Sequence, residues 1–333
     1  MVCGNFFNRQ KLVLFPYSDF SEFQNLIVGK VNRQNLLEQN QVCRKTLSVK
    51  FKVFFDRFVS AKYVWRVLPP TLTKTNVDTD ISDPWVLAID GKWLHRNGVV
   101  MIYRDITHSE NIFWSYHTSE SYSAIYSDLE VLVGLLTERD YALPSGVISD
   151  WKGSIVGGVR DYLGDVPHQR CLAHVVREAK RFLPKGSSFC AVLVLREIAK
   201  ELPYIKTKKE ATDWKAKLIR WETAYGRLLK ERSFSPTGQT KTGPKWWYTH
   251  GNLRRAWHLL TNNWYPFFVH IDHPLLPNTN NSIEGVNCQL KNKLLNHRGM
   301  KTLQQVSFLF WYLSFTRTKT KQDLKELWDE WKS

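Results

Sequence analysis

The chain contains 333 residues with a mass of 39.1 kDa, enough for one large core or for two to three modest domains. Its 43% hydrophobic and 23% charged residues predict a globular protein and argue against a disordered chain. The five scattered cysteines argue against a disulfide-stabilised secreted domain and predict a cytoplasmic protein. No run approaches about 18 apolar residues, which predicts that the protein has no membrane partner. The formal net charge of +16 attracts polyanions, although residues 75–175 carry seven basic and 14 acidic side chains. An acidic, metal-binding centre within a phosphate-binding surface explains this imbalance, and chance surface variation is the alternative.

Residues 1–75 are predicted to form a small helical segment. Within it, residues 31–39 and 44–55 are compatible with a helix-turn-helix whose second helix presents Arg44 and Lys45 to DNA. Two ordinary amphipathic helices with a solvated basic face explain the same residues equally well.

Residues 84–119 predict a three-stranded meander, in which Asn97-Gly98 is typical of a type I′ turn because both residues tolerate positive φ. Apolar residues at helical spacing over 125–136 then predict a helix, and residues 147–150 predict a buried strand. A strand, a helix and a strand in this order favour a parallel crossover.

The chain beyond residue 150 is predicted to be mostly helical, with a basic, tryptophan-rich stretch at 175–271. Most of its tryptophans are interpreted as core anchors, and stacking on unpaired bases is the alternative. The predicted elements are, in order, a helix near 152–163, a strand near 166–171, helices over 175–271 interrupted by a mobile loop at 235–244, helices at 282–297 and 302–316, and an amphipathic tail.

Three carboxylates are candidates for a metal site. Asp90 and Asp150 are each predicted to end an apolar strand, and ligands collect at the carboxyl ends of neighbouring parallel strands. Two carboxylates held together repel each other unless a cation lies between them, and Mg²⁺ suits oxygen ligands. Glu284, on the same helix flank as Asn287 and Lys291, is the candidate for the third acid; the alternative is a capping box with Asn281.

Four short strings, taken in order, resemble the DDE transposases of bacterial insertion sequences, Mutator type. The resemblance covers about residues 80–320. It implies an α/β fold with a ribonuclease-H-like mixed sheet core over residues 76–333, interrupted by an all-α insertion at 175–278. The strings are Ile89-Asp-Gly-Lys92, Ile148-Ser-Asp150, Cys171-Leu-Ala-His174 and Asn281-Ser-Ile-Glu284.

The resemblance implies that Asp90, Asp150 and Glu284 are the catalytic, metal-binding triad. It implies two Mg²⁺ ions about 4 Å apart, which Mn²⁺ can replace, and no organic cofactor. Water then frees a 3′-OH at the element end, and that 3′-OH attacks target DNA. The implied partners are element-end and target DNA and further copies of the chain, as a homodimer or larger, in the nucleoid-associated cytoplasm.

Further residues have weaker signals. Cys171 and His174 favour packing and hydrogen bonding over zinc binding, because structural zinc needs four ligands and only His168 and Cys190 are available as additions. Basic residues predicted to contact DNA phosphates, each with a solvated or helix-capping alternative, are Lys92, Lys291 and Arg298.

Two rival functions remain open. Relatives often begin with a zinc ribbon of paired Cys-x-x-Cys knuckles, of which only Cys3 is present here, and this motivates a decayed or recruited, non-catalytic DNA-binding protein. The other rival is a nuclease with the same core that lacks strand transfer.

Overall fold

The computed structural model describes residues 17–29, 35, 38, 51–55, 84–94, 97–138, 141–240, 243–295 and 300–332. The strands are β1 (Val86–Trp93), β2 (Val99–Asp105), β3 (Glu110–His117), β4 (Gly146–Ser149), β5 (His168–Arg170), β6 (Arg232–Thr240) and β7 (Gly243–Tyr248). The helices are α1 (Tyr17–Val28), α2 (Tyr122–Glu138), α3 (Gly153–Leu163), α4 (Leu172–Phe182), α5 (Cys190–Glu201), α6 (Lys208–Tyr225), α7 (Gly251–Thr261), α8 (Tyr265–Asp272), α9 (Asn281–Leu295), α10 (Thr302–Arg317) and α11 (Lys321–Lys332). In the part of the chain that is described, no helix is long and apolar enough to cross a membrane.

A five-stranded mixed sheet has the strand order β3-β2-β1-β4-β5. β2 and β3 are antiparallel, whereas β4 is parallel both to β1 and to β5. The predicted meander, parallel crossover and fifth strand are therefore confirmed. Both faces of β1 are buried over Val86–Asp90, which explains why this strand reads as an unbroken apolar run.

The predicted type I′ turn between β1 and β2 is wrong. Such a turn needs positive φ at both central residues, and only Gly98, at +111°, has it. The amide of Leu94 instead donates to the carbonyl of Gly98 at 2.8 Å, which closes a wider loop. A Cβ on Gly98 would lie 2.5 Å from the carbonyl oxygen of His117, so only glycine fits there.

Contacts divide the chain into two compact units, and the chain passes between them four times, once within β1 and once within α9. Unit 1 contains the described residues of Met1–Asp83, Asp90–Leu143 and Ile283–Ser333, and unit 2 contains Pro84–Ile89 and Pro144–Ser282.

Unit 1 has an aromatic core around α10, which is buried on every side over 306–315, as expected for a helix that is apolar all round. At its end, Arg317 donates to the carbonyl of Asn111 at 2.9 Å and pairs with Glu110 at 3.2 Å, which ties α10 to β3. The rings of α1, of the helical residues 51–55, of α10 and of α11 pack together as one cluster formed by Phe20, Phe23, Phe54, Trp311, Phe315, Trp328 and Trp331.

Unit 2 has a helical core formed by α4–α8, and tryptophans anchor it. The indole of Trp214 donates to the carbonyl of Ile198 at 2.8 Å, and that of Trp221 donates to the carbonyl of Ala191 at 2.9 Å. The ring of Trp221 stacks on Trp257 at 4.9 Å. The interpretation of these three tryptophans as core anchors is confirmed, since all are buried.

The prediction that residues 175–278 are all helical is wrong at β6 and β7, and so is the predicted loop at 235–244. These strands form a two-stranded antiparallel hairpin, in which Phe234 pairs with Trp246 and Arg232 with Tyr248. The Ser, Pro, Thr and Gly residues of this stretch are typical of loops, but cross-strand pairs of large side chains stabilise a ribbon.

Replacing the buried indole in Trp221→Ala should destabilise the protein by about 3–5 kcal/mol, because it removes a ring from a close-packed core and its hydrogen bond. The exposed Trp247→Ala, in the hairpin, is the matched control and should cost no more than about 0.5 kcal/mol. Urea unfolding followed by circular dichroism measures both. Equal losses in the two variants would contradict the assignment of Trp221 to the core.

Candidate functional site

Asp90 is a buried carboxylate in the second half of β1, and it is only 7% exposed. Its Oδ2 accepts a 2.8 Å hydrogen bond from the side-chain amide of Asn287 on α9, and its Oδ1 accepts one of 2.9 Å from the amide of Gly91. The prediction that β1 ends at Asp90 is wrong: the strand continues to Trp93, and β2 is its neighbour on the side away from β4. Only the pairing with β4 stops, at Ile89.

The α9 residues next to β1 carry the predicted third acid and a cation. Glu284 is three residues before Asn287, and Lys291 is four residues after it, so all three lie along one side of the helix. Glu284 is half-buried and Lys291 is exposed. Burial lowers the pKa of Lys92 on β1, and repulsion from the positive charge of Lys291 lowers it further, while Asp90 acts in the opposite direction.

The position of α9 also bears on the capping interpretation of Glu284. The helix begins at Asn281, which places that residue inside the first turn, whereas the N-cap of a capping box lies outside it.

Asp150, in unit 2, is the first residue after β4, which ends one residue earlier than predicted. Its Oδ1 accepts a hydrogen bond of 3.2 Å from the amide of Lys152, and its Oδ2 pairs with the ammonium of the same residue at 3.2 Å. The next residue, Trp151, has φ of +70°, which is unusual for a bulky side chain. The amide of Trp151 donates to the hydroxyl of Ser149 at 3.2 Å, and its ring lies 4.7 Å from that of His168. These contacts fix the turn that presents Asp150.

His168 is a buried, neutral partner in this turn. Its Nε2 shares a hydrogen bond of 2.8 Å with the hydroxyl of Ser149. Burial lowers the pKa of His168 from 6.5 to about 4, although the nearby charge of Asp150 opposes the shift. Burial also lowers the pKa of Arg170, against the attraction of Glu178 and Asp150. His168 is thus uncharged near neutral pH, and it acts through hydrogen bonding.

Cys171 and His174 form a close pair at the start of α4 in unit 2. The Cys171 sulfur and a ring nitrogen of His174 lie within 4.8 Å of each other. Cys171 is buried, and its sulfur accepts a hydrogen bond of 3.2 Å from the amide of Asn280. The two proposed additional zinc ligands are engaged elsewhere, His168 with Ser149 and Cys190 with the hydroxyl of Tyr225 at 3.4 Å. The contact with Asn280 accords with a hydrogen-bonding role of Cys171 in unit 2.

The remaining predicted DNA contacts, Arg44, Lys45 and Arg298, lie outside the described residues, as does most of the predicted helix-turn-helix. Asn287, the partner of Asp90, is not one of the predicted site residues, although the sequence places it on the same helix flank as Glu284. Nothing local in the sequence pointed to the contacts of Ser149, Trp151 and His168.

In comparisons with known proteins, no family model matches this sequence, and no curated protein matches it either.

The lowered pKa of His168 predicts that acid destabilises the fold. Below pH 6.5 the unfolded chain binds a proton that the folded imidazole accepts only near pH 4, so stability falls as the pH drops through this window. The loss attributable to His168 should approach about 1.4 kcal/mol per pH unit. Urea unfolding between these pH values measures it. His168→Gln should flatten the dependence, and a dependence as steep as that of the parent protein would contradict the assignment.

Replacing Asn287 by leucine should destabilise unit 1, because the volume is kept but a buried carboxylate loses a donor. The expected cost is about 1–3 kcal/mol in urea unfolding. Asn292→Leu, at an exposed position of the same helix, is the control. Equal stability of Asn287→Leu and the parent protein would show that the bond to Asp90 contributes nothing.

Proposed function

We propose that the protein is a DDE transposase of Mutator type, which binds element-end DNA and catalyses metal-dependent strand cleavage and 3′-OH strand transfer. The observation that carries this proposal is the hydrogen bond between Asn287 and Asp90, two residues 197 positions apart. It brings β1 and α9 together, and thus supports a shared site for Asp90 and Glu284.

The donor set suits Mg²⁺. Asp90, Asp150 and Glu284 offer only carboxylate oxygens, the ligands that this hard cation prefers. Asn287 holds Asp90 in one orientation, and Lys152 and the turn at Trp151 do the same for Asp150. When bound, Mg²⁺ supplies charge stabilisation to the phosphate at which a DNA strand is cut and joined.

The strand pairing supports a common role for the two aspartates. β1 and β4 are parallel and in register, with Ala88 beside Ile148 and Ile89 beside Ser149. Asp90 and Asp150 are the next residues along the chain, Asp90 still within β1 and Asp150 just after β4. In parallel sheets, ligand-binding side chains follow the strands in this way.

The mixed sheet and its intervening helices support the ribonuclease-H-like core that the resemblance implies. Residues 175–278 lie between the second and third proposed acids, and we assign them as an insertion that contains both helices and the hairpin of β6 and β7. Lys92 and Lys291 are the proposed phosphate contacts, because Lys92 follows Asp90 on β1 and Lys291 follows Asn287 on the helix that contacts it. A dimer or larger assembly accords with the need to hold two element ends. The proposed location is the cytoplasm, in association with the nucleoid.

The test is cleavage of DNA taken from both flanks of the gene, with Mg²⁺ or Mn²⁺ present. The parent protein should cut at a fixed position and join the released 3′-OH to target DNA. Asp150→Asn, Asp90→Asn and Glu284→Gln should each lose at least about 100-fold in cutting rate, since even an outer partner of a metal site contributes 10- to 100-fold. DNA binding should be retained.

Asp165→Asn, an exposed acid in the loop between α3 and β5, is the matched control and should cut normally. Undiminished cutting by Asp150→Asn would refute the triad. Binding without cutting by the parent protein would favour a decayed, non-catalytic DNA-binding protein, and cutting without joining would favour a nuclease.

A further inference from the structure

The hairpin of β6 and β7 exposes three large aromatic rings on one two-stranded ribbon. Phe234 is 57% exposed, Trp246 is 42% exposed and Trp247 is 49% exposed. Trp214, Trp221 and Trp257 in the same unit are buried. Apolar rings exposed together on one ribbon mark a binding surface more often than isolated exposed residues do.

One face of the ribbon alternates rings with guanidinium groups. Phe234 pairs with Trp246 across the strands, and Arg232 pairs with Tyr248. The guanidinium of Arg232 lies 4.1 Å from the centre of the Trp246 ring. Trp246 and Tyr248 contact each other edge to face, with ring centres 5.2 Å apart. Because cation–π contacts hold these rings in place, they can stack on a ligand with little loss of freedom.

The charge of the region selects the partner. Residues 227–240 and 243–255 carry six basic side chains and one acidic one. The acidic one, Glu231, already lies 3.1 Å from His250, and Arg254 lies over the ring of Tyr248 at 4.1 Å. A polyanion with flat π faces matches this combination, whereas a second copy of this basic hairpin would be repelled.

We propose that the hairpin of β6 and β7 binds unpaired DNA, with Trp246 and Phe234 stacking on bases and Arg232 supporting the stack near the phosphates. Aromatic rings in a positively charged surface bind single strands in this way without sequence preference. The choice of DNA as the nucleic acid rests on the proposed function, but the stacking itself requires neither metal nor cleavage.

The test is equilibrium binding of a labelled single DNA strand of about 15 nucleotides, measured by fluorescence anisotropy in the presence of EDTA. The protein carries Asp150→Asn, so that cleavage plays no part. Adding Trp246→Ala should weaken single-strand binding by about 5- to 150-fold, which corresponds to the loss of one base–aromatic stack. Trp246→Phe keeps a ring and should restore most of the affinity. Tyr204→Ala, an exposed aromatic outside the hairpin, should change nothing.

Three results would overturn the proposal. The first is a single-strand affinity of Trp246→Ala within about twofold of its parent, and the second is an equal loss of affinity for a duplex of the same length. The third is a change in the mass of the protein assembly that Trp246→Ala causes in sedimentation without DNA. The last would assign the rings to a contact between protein chains. Cleavage that fails while single-strand stacking persists would reject the transposase activity alone, so the two failures are distinguishable.

Discussion

The burial of the Asp90 carboxylate is the constraint on which the candidate site depends. A charged group on a strand with both faces covered loses its hydration, and it is tolerated only when donors replace the water. The amide of Gly91 is a local donor, but the second, Asn287, comes from the far end of the chain. The requirement to satisfy one carboxylate therefore fixes a helix face against β1, and that face also carries Glu284 and Lys291. The electrostatic effect of Lys291 on Lys92 follows from the same placement.

Asp150 shows how another aspartate is held by different means. It is more exposed than Asp90, and its partner is the amide and ammonium of Lys152 two residues away. The turn that carries Asp150 is held by contacts among Ser149, Trp151 and the neutral His168. Burial keeps His168 uncharged, so this imidazole adds no positive charge to that of Lys152 beside Asp150.

The tryptophans of unit 2 separate into two groups according to what covers them. Trp214 and Trp221 each bury the ring and satisfy the indole N–H on a neighbouring helix carbonyl. Trp246 and Trp247 lie on opposite faces of a two-stranded ribbon, and both rings are exposed. The residue type is the same, but only the first group has helices on either side, so only the first contributes to the core.

Much of the secondary structure was determined by the sequence alone, because it depends on local periodicity. The meander, α2, the parallel crossover, α9 and α10 are signalled by apolar residues that recur at the spacing of each element. Asp150 was identifiable because it directly follows an apolar run. What only the tertiary structure decided are features that arise from partners distant in the chain. Asn287 reaches Asp90 across 197 residues, Trp151 takes positive φ beside Ser149 and His168, and the loop-like residues of β6 pair because Phe234 meets Trp246. A local pattern carries no information about such partners, since the free energy that selects them comes from desolvation and packing in the folded chain.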